Sequence, residues 1–351
     1  ELITSEQNIL LAYRSIKKNK GSKTKGVNST TIVEMGEKQP EELIAYLRTR
    51  LQNFHPQAVR RVEIPKPDGR MRPLGIPTME DRIIQQCIKQ VLEPICEAKF
   101  YKHSYGFRPN RSAHHAVARA MFLVNISKYR FVVDVDIKGF FDNVNHGKLL
   151  KQLWTLGIRD KQLLCILSKM LKAPIQGEGV PAKGVPQGGI LSPLLSNVVL
   201  NELDWWISSQ WGTFPTKTNY AHDLSRYQNL RRTSRMKEVF IVRYADDFKL
   251  FCKCRSDAER LFTATTMWLK ERLALEISPE KSKIVNLKKG YSDFLGFKLK
   301  LRPKRGKWVL KSHMADKAQK KCKENIRAAI GQIGKKPNQW SIMQFNAMVL
   351  G

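Results

Sequence analysis

Residues Val239 to Cys252 read VFIVRYADDFKLFC, two apolar runs rich in β-branched and aromatic residues on either side of Asp246 and Asp247. Such runs around a short polar centre predict a β-hairpin with both carboxylates at its tip. Adjacent negative charges repel each other and resist burial, so a tight turn that carries both usually needs a cation. A divalent metal ion is the natural candidate, and a solvated turn is the alternative, because Asp is a common turn former.

A second acidic strand lies upstream, where residues 131–142 read FVVDVDIKGFFD. Because side chains alternate along a strand, Asp134 and Asp136 are expected on one face. An aspartate in a buried strand is costly unless it is paired or coordinates a metal. A capping aspartate at the strand end is the other interpretation.

The chain is strongly basic, with 62 Lys+Arg against 31 Asp+Glu over 351 residues and a formal net charge of +31. Such an excess repels itself unless a polyanion binds, and nucleic acid is the expected partner. Hydrophobic residues make up 42% of the chain, which suffices for a sizeable core, so the charge does not indicate disorder. The length predicts about two domains.

The cysteines show no C-x-x-C spacing, and we find neither a signal peptide nor an apolar run long enough to span a bilayer. We therefore expect reduced thiols in a cytoplasmic protein and no zinc site. The chain begins at Glu1 without Met and stops inside the apolar pattern WSIMQFNAMVLG, which we interpret as a fragment of a longer protein. The cysteines are Cys87, Cys96, Cys165, Cys252, Cys254 and Cys322.

Two basic segments near the N-terminus are candidates for phosphate contacts. The loop NKGSKTKGVNST at residues 19–30 contains Gly and Asn breakers, and we expect it to be mobile and able to lie along phosphates. Residues 59–78 predict a hairpin whose turn cations converge on one phosphate group. A solvated linker and a solvated hairpin are the respective alternatives. The turn cations are Lys66, Arg70 and Arg72.

In SYGFRPNRSAHHAV, residues 104–117, Arg108 and Arg111 flank a Pro-Asn turn that opens a helix. A helix N-terminus with two arginines predicts a phosphate or template-backbone site. His114 and His115 are adjacent, so on a helix they diverge by about 100° and cannot chelate one metal. We interpret them as structural or RNA-contacting residues.

A Gly-rich loop opens residues 184–204, GVPQGGILSPLLSNVVLNELD. Its glycines allow the backbone to approach a ligand closely, and Gln187 offers a neutral donor and acceptor. Further along, residues 211–237 form a basic insertion that we expect to be an RNA-facing loop or short helix outside the core. Residues 298–336 are also basic and predict a strand pair and a helix of a second, nucleic-acid-clamping domain.

Seven segments, taken in order, resemble the sequence blocks of reverse transcriptases, specifically the group II intron-encoded kind with maturase activity. YADD alone is weak evidence, but the ordered set covers nearly the whole chain and is specific. The segments are EIPKPDGRMRPLGIP, SYGFRPNRS, DIKGFFD, GVPQGGILSPLLSN, YADD, PEKSK and FLGF.

The resemblance implies an α+β right-hand polymerase fold, with fingers and palm and the beginning of a helical thumb. Residues 1–130 would form an N-terminal extension and the fingers, and residues 131–300 the palm with its insertions. Residues 301–351 would follow the primer grip and form the start of the thumb, or maturase X domain, which would be truncated. Any DNA-binding or HNH endonuclease region would lie outside this sequence or be absent.

The implied activity is RNA-directed DNA polymerisation, which copies an RNA template into cDNA by two-metal-ion nucleotidyl transfer. One metal activates the primer 3′-hydroxyl and the other holds the triphosphate, about 3.5–4 Å apart. The implied cofactors are two Mg²⁺ ions, with Mn²⁺ as a substitute. Binding of intron RNA as a splicing maturase in intron mobility (retrohoming) is also implied.

The implied partners are group II intron RNA, an RNA template with a DNA primer, and dNTPs, with no membrane. A homodimer is compatible with the sequence. The implied location is the bacterial cytoplasm, with nucleoid association during action on DNA.

The resemblance assigns the metal ions to Asp136, Ile137, Asp246 and Asp247. Asp136 and Asp246 would be the bridging pair. Asp134 lies on the same strand face, but the family pattern does not make it a ligand.

Other positions map to the nucleotide. Lys66 and Arg72 would contact the triphosphate and Gln187 would line the incoming-nucleotide pocket. Phe141 would sense the sugar 2′ position, and Lys281 would be a general acid for pyrophosphate.

The remaining assignments concern nucleic acid. The basic N-terminal loop would be a lid over the template, and the FLGF segment would form the primer grip. The template and primer residues are Lys23, Lys25, Arg108, Arg111, Pro186, Gly188, Phe294, Leu295 and Gly296. The RNA-binding residues are Arg231, Arg232, Arg235, Lys320 and Lys321.

Two alternatives stay open at this point. One is a reverse transcriptase of another bacterial lineage, such as a retron, diversity-generating or CRISPR-associated enzyme; the FRPNRS and PQGGILSPLLSN segments and the long basic N-terminal extension argue against it. The other is a maturase that acts only as an RNA-binding splicing cofactor. The intact Asp136, Asp246 and Asp247 argue against this one, because a chain used only for binding has no physical need for them.

Overall fold

The computed structural model describes residues 1–65, 69, 71–335 and 337–350. Its helices are α1 (Glu6–Lys17), α2 (Ile32–Met35), α3 (Pro40–Gln52), α4 (Met79–Glu97), α5 (Ala113–Asn125), α6 (Phe140–Asn143), α7 (His146–Thr155), α8 (Lys161–Leu171), α9 (Ser192–Ser209), α10 (Asp223–Thr233), α11 (Arg255–Trp268), α12 (Asp316–Lys335) and α13 (Gln339–Leu350). A 3₁₀ turn (Leu2–Thr4) and a π-helical turn (Leu269–Leu273) complete them.

The strands form three antiparallel sheets, in the orders β1-β2, β4-β5-β3-β6 and β7-β8-β9. They are β1 (Arg60–Pro65), β2 (Met71–Ile76), β3 (Phe131–Val135), β4 (Phe240–Tyr244), β5 (Asp247–Cys252), β6 (Lys283–Asn286), β7 (Ser292–Phe294), β8 (Phe297–Lys304) and β9 (Lys307–Met314). The mixture of helices and sheets matches the expected α+β class.

The four-stranded sheet carries the two acidic segments. The hairpin expected from VFIVRYADDFKLFC is confirmed, with β4 and β5 paired from Phe240 opposite Phe251 to Tyr244 opposite Asp247. β5 also pairs antiparallel with β3, and Val135 lies opposite Phe248. The C-terminal end of β3 and the β4–β5 turn therefore lie at the same end of the sheet, which brings the two acidic segments together.

The hairpin expected around residues 59–78 is confirmed as β1 and β2, with Arg60 opposite Ile76 and Pro65 opposite Met71. Two of its three turn cations, Lys66 and Arg70, lie outside the described residues. The third, Arg72, is exposed on β2.

The basic insertion at residues 211–237 contains α10 and contributes to the core. Trp211 and Leu230 are buried, and the Tyr227 ring stacks on Trp211 with centroids 5.9 Å apart. The expectation that this insertion lies outside the core is therefore wrong for these side chains. They were hard to identify because polar and charged residues surround them in the sequence.

The C-terminal part has an amphipathic sheet followed by exposed helices. Leu299, Leu301 and Leu310 of β8 and β9 are buried. The expected strand pair and helix are confirmed as β8, β9 and α12. No described residue of α12 or α13 is buried. Within the part of the chain that the structure describes, no helix is long and apolar enough to cross a membrane.

Candidate active site

Ala245 and Asp246 form the two-residue turn between β4 and β5, since Tyr244 and Asp247 are its closing pair. Ala245 has a positive φ of 57°, a conformation that L-residues adopt rarely. Gly106 of the SYGF segment packs against this turn. A Cβ on Gly106 would collide with the Ala245 nitrogen and lie 2.8 Å from the Tyr244 carbonyl carbon. Only glycine allows this approach, so the 104–112 segment supports the turn directly.

The buried side chain of Arg243 also fixes this turn. Arg243 donates from Nε and Nη2 to Asp204 at 2.8 and 2.7 Å, and from Nη1 to Asn197 Oδ1 and Ala245 O at 2.9 Å each. Asn197 in turn donates to Gly106 O at 2.8 Å. These bonds connect α9, the Gly106 segment and the turn, and bidentate arginine pairing is the geometrically most specific ion pair. Arg243 is not among the residues predicted from the sequence, although a charged residue inside the apolar run VFIVRY was a signal for it.

Asp136 follows β3 directly and is held by its backbone. Its N–H donates to Ser282 Oγ at 3.1 Å, and its carbonyl accepts from Ser278 N at 2.8 Å. Lys281, on the same connection, lies with Nζ 3.0 Å from Asp136 Oδ2. The PEKSK segment therefore lies beside the acidic segment, as the assignment of Lys281 to the active site requires.

Charge repulsion and burial act on the aspartates of the turn. Burial raises the pKa of Asp246, and the Asp136 charge adds to this effect while Arg72 and Arg243 oppose it. Burial raises the pKa of Asp247 to about 6, with Lys249 opposing and the neighbouring carboxylates adding to the shift. The three carboxylates are thus electrostatically coupled, and a cation among them would relieve an unfavourable concentration of negative charge.

The carboxylate oxygens at this end of the sheet suit a hard divalent ion, although the side chains do not form a closely spaced cluster. Among the described residues, no three His, Cys, Asp or Glu side chains are grouped closely enough to hold a metal. In the bridge between Ile137 and Ile277, Asp136 O and Lys138 N make the hydrogen bonds. Carbonyls alternate in direction along a strand, so the Ile137 carbonyl points to the other side. Carboxylate and carbonyl oxygens are the ligands that Mg²⁺ and Ca²⁺ prefer.

The GVPQGG loop lies between β2 and the acidic segment. Gly75 N donates to Gln187 O at 2.7 Å, and Gly188 has φ 111° with its Cβ position 2.8 Å from Gly75 O. On its other side, Val185 N donates to Phe141 O at 2.7 Å. A cavity of about 370 Å³ adjoins the loop and is lined by Pro186, Gln187 and Asp142, among others. The loop therefore brings the Gln187 and Phe141 backbones close together.

The two phenylalanines of DIKGFFD differ in environment. Phe140 is buried, as expected for a core residue, and Phe141 is half-buried with its ring 5.4 Å from Phe140 in an edge-to-face arrangement. Gly139 before them has φ 53°, so the chain turns sharply as it leaves the strand. The side chain of Lys66, assigned to the triphosphate, lies outside the described residues.

The expectation that Arg108 contacts the template is wrong for this structure. Its buried guanidinium forms a fork with Glu97, at 2.8 to 3.0 Å, and donates to Tyr101 O and Ser104 O at 2.7 and 2.8 Å. These bonds stabilise the 101–108 segment and leave the side chain inaccessible to a phosphate. Arg111 is half-buried and donates to Lys102 O at 2.7 Å. His114 and His115 are exposed, with the His114 ring 6.2 Å from Phe297.

The N-terminal basic loop is held by its backbone. Arg82 donates to Gly21 O and Thr24 O at 3.1 and 2.7 Å, and Arg60 donates to Lys25 O at 2.8 and 3.1 Å. The Lys23 and Lys25 side chains remain exposed. The structure therefore gives this loop a defined conformation, whereas we expected it to be mobile.

The primer-grip candidate is the β7–β8 turn. Phe294 lies opposite Phe297 and is buried, so Leu295 and Gly296 form the turn. Both have positive φ, 52° and 84°, which is the conformation of a type I′ hairpin turn. Gly296 O accepts from Ala315 N at 2.8 Å, which joins the turn to the start of α12.

The cations assigned to RNA are exposed but differ in pairing. Arg231 forms a fork with Glu238 at 2.7 and 3.0 Å, and Lys253 contacts the same carboxylate. Arg232 and Arg235 are exposed. Lys320 and Lys321 are exposed on α12.

Comparisons with known proteins identify the family. The family model described as "Reverse transcriptase (RNA-dependent DNA polymerase)" matches residues 64–299. Protein YkfC of Escherichia coli (strain K12) is 34% identical over 85% of this chain and 81% of its own length. Group II intron-encoded protein LtrA of Lactococcus lactis subsp. cremoris is 32% identical over 83% of this chain and 55% of its own.

A third relative, "Putative COX1/OXI3 intron 2 protein" of Saccharomyces cerevisiae, is 29% identical over 86% of this chain and 39% of its own length. The chain thus spans little more than half of LtrA and less than half of the yeast protein. These names confirm the resemblance on which the site assignments were based. The chain belongs to the reverse transcriptase family.

Proposed function

We propose that this protein is an RNA-directed DNA polymerase that copies an RNA template into cDNA and binds group II intron RNA as a splicing maturase in intron mobility. The observation that carries the proposal is the placement of Asp136 and Asp246 at one end of the four-stranded sheet, where burial and mutual repulsion raise the pKa of Asp246. Carboxylates from two separate strands suit the binding of a pair of divalent ions.

In this proposal, Asp136, Asp246, Asp247 and the Ile137 carbonyl hold two Mg²⁺ ions, for which Mn²⁺ substitutes. The ions supply activation of the primer hydroxyl and neutralisation of the triphosphate charge. The protein's own residues would position the carboxylates. The Arg243 network and Gly106 fix the turn that carries Asp246, so the carboxylates need little reorganisation when substrates bind.

Residues around this centre would bind the dNTP. Arg72 is exposed on β2, and its charge opposes the rise in the pKa of Asp246, which supports a place near the triphosphate. Lys66, assigned by the resemblance, would assist it. Gln187 and Phe141 would bound the nucleotide pocket, the latter facing the sugar. Lys281 would donate the proton that leaves with pyrophosphate.

Nucleic acid would lie along cationic surfaces outside this pocket. Lys23 and Lys25 would cover the template, and the turn from Phe294 to Gly296 would hold the primer. On the outer face of β8, Lys298, Lys300 and Arg302 surround the Tyr291 ring at 5.6, 4.7 and 5.9 Å. Side chains alternate along β8, so these cations lie on the face opposite to the buried Leu299 and Leu301. The three cations therefore share one face, which is suited to phosphates.

The maturase role is supported by one relative whose name states it and by another whose name places it in a group II intron. One matching protein is called "Nuclear intron maturase 2, mitochondrial" and another a group II intron-encoded protein. We assign intron RNA binding to Arg231, Arg232, Arg235, Lys320 and Lys321 together with the β8 face. Residues 1–130, 131–300 and 301–351 would be the fingers, the palm and the start of the thumb. We place the protein in the bacterial cytoplasm, associated with the nucleoid during action on DNA.

The test pairs a primer-extension assay on poly(rA)/oligo(dT) with a titration of group II intron RNA. With Mg²⁺, the wild-type protein should extend the primer, and Asp136→Asn and Asp246→Asn should each abolish extension while RNA affinity stays within about twofold. Neither change removes a phosphate-facing cation. Asp223→Asn, at an exposed carboxylate on α10, is the matched control and should extend normally. Extension by either active-site variant would contradict the site, and RNA binding without any wild-type extension would leave only the splicing role.

A further inference from the structure

A buried ion pair lies on the same two strands as the proposed catalytic carboxylates. The proposed mechanism assigns it no role. Asp134 of β3 lies directly opposite Lys249 of β5, with Lys249 Nζ 2.8 Å from Asp134 Oδ1. Their side chains are only 10% and 3% exposed. By the two-residue alternation of strands, Asp134 shares a face with Asp136, and Lys249 shares one with Asp247. Burial of either charge alone would be strongly unfavourable.

A residue from the neighbouring sheet completes this pair. Ser292, the first residue of β7, is fully buried and donates from Oγ to Asp134 Oδ1 at 2.9 Å, with Oδ2 at 3.2 Å. Lys249 Nζ also lies 5.1 Å from the centroid of the Phe294 ring, on the same strand β7. Each member of the ion pair therefore contacts the short strand that leads into the Leu295–Gly296 turn.

Two hydrogen bonds that join β8 and β9 to other elements lie farther from that turn, whereas at the turn itself Gly296 O accepts from Ala315 N. Leu301 N donates to Leu287 O at 2.8 Å, and Leu310 N donates to Asn125 Oδ1 at 2.7 Å. Leu301 of β8 and Leu310 of β9 lie opposite each other, several residues away from the Leu295–Gly296 turn. The Ser292–Asp134 bond joins the strand that precedes the turn directly to β3, and it therefore fixes the position of the turn relative to β3.

We propose that Asp134, Lys249 and Ser292 are positioning residues that set the primer-grip turn relative to the catalytic carboxylates. This inference rests on the proposed polymerase function. Movement of β7 away from the pair would break the hydrogen bond of Asp134 and remove the aromatic face from Lys249, so the buried charges resist it. A displacement of about 1 Å at a reacting centre costs about a hundredfold in rate, so a turn that directs the primer end needs such a constraint.

The first test is Ser292→Ala, which removes the bond from β7 and leaves the ion pair in place. We expect kcat for primer extension to fall about tenfold or more, while the KM for primer-template and the affinity for RNA change less than about twofold. The primer strand is still bound by the same cations, but its end is poorly placed. Ser196→Ala is the matched control, since Ser196 is buried and donates to Pro193 O at 2.7 Å within α9.

The second test guards against simple loss of folding. The double variant Asp134→Leu/Lys249→Leu replaces the ion pair by apolar side chains, a kind of exchange that buried ion pairs often tolerate without loss of stability. It has no acceptor for Ser292. We expect a melting temperature close to that of Ser196→Ala and a fall in kcat similar to that of Ser292→Ala, and adding Ser292→Ala to the double variant should lower kcat no further.

Folded Ser292→Ala and double variants with wild-type kcat would overturn the inference, as would a loss confined to the melting temperature. Ser292→Thr, which keeps the hydroxyl, should recover most of the kcat lost in Ser292→Ala. Absence of extension by the wild-type protein would be a failure of the proposed function, and the two failures are therefore distinguishable.

Discussion

Lys281 Nζ lies 3.0 Å from Asp136 Oδ2, so the proposed proton donor and a proposed metal ligand form an ion pair in the free protein. Lys281 thus offsets part of the charge of Asp136, a carboxylate that still raises the pKa of Asp246. A divalent ion that binds Asp136 must compete with this ammonium. The same lysine therefore has two effects of opposite sign, one on metal affinity and one on the rate of nucleotide addition.

Lys281→Ala should separate these effects. The Mg²⁺ concentration for half-maximal activity should fall several-fold, because the competing cation is gone. At saturating Mg²⁺, kcat should fall about a hundredfold or more, the usual contribution of a general acid. Lys283→Ala, two residues along and also exposed, is the control and should change neither value. An unchanged kcat at saturating metal would contradict the role of Lys281 as a proton donor.

The raised pKa of Asp247, about 6, predicts a pH-dependent stability in the absence of divalent ions. An unfolded aspartate has a pKa near 3.9, so between about pH 4 and 6 the folded protein binds the proton that the unfolded chain has lost. The stabilising contribution of this group is therefore complete below about pH 4 and is lost as pH rises through about 6.

Asp247→Asn, which is neutral at every pH, should not show this loss. Its stability relative to wild type should increase from pH 4 to pH 7 by about 3 kcal/mol at most, measured by denaturant unfolding in EDTA. Addition of Mg²⁺ should stabilise the wild type more than Asp247→Asn, which keeps Asp136 and Asp246 but lacks one proposed ligand. A stability difference that is constant over this pH range would mean that Asp247 is not shifted.

RNA binding should depend steeply on salt, because each neutralised phosphate releases counterions. We expect a log-log slope of about −0.7 to −0.9 per contact and at least about six contacts. Arg232→Glu and Arg235→Glu should weaken RNA binding more than Arg231→Glu, because Glu238 already pairs with Arg231. Extension of a short primer-template should be less affected. A slope corresponding to two or three contacts would show that the basic surface is not the binding surface.

Phe141 and Phe140 should respond in different ways to truncation. Phe141→Ala should raise ribonucleotide incorporation by at least about tenfold, or 1.4 kcal/mol, because an aromatic face at the sugar rejects the 2′-hydroxyl. Deoxynucleotide addition should persist at a reduced rate. Phe140→Ala should instead cost about 3–5 kcal/mol of stability, since Phe140 is buried. The opposite pattern in a misincorporation assay and a denaturant titration would place the sugar contact one residue earlier.

The sequence predicted the parts of the site that depend on local pattern. Alternation in FVVDVDIKGFFD placed Asp134 and Asp136, and the apolar runs around Asp246 and Asp247 predicted the hairpin, although its turn lies one residue earlier, at Ala245 and Asp246. The sequence could not show that Asp134 pairs with Lys249, because that pairing depends on the register between β3 and β5. Arg108 was misassigned for a similar reason: its partner Glu97 lies at the end of α4, and only the tertiary fold makes the arginine buried.

The side chains of Arg82 and Arg60 donate hydrogen bonds to backbone carbonyls of the loop that carries Lys23 and Lys25. These bonds have a thermodynamic consequence. A disordered lid would lose about 1–2 kcal/mol of backbone entropy per residue on closing over a template. In the proposed lid the main chain is already held by these bonds, so template binding would have to immobilise only the lysine side chains. Preorganisation of this kind favours tight contact with successive nucleotides irrespective of their sequence, as copying a long RNA requires.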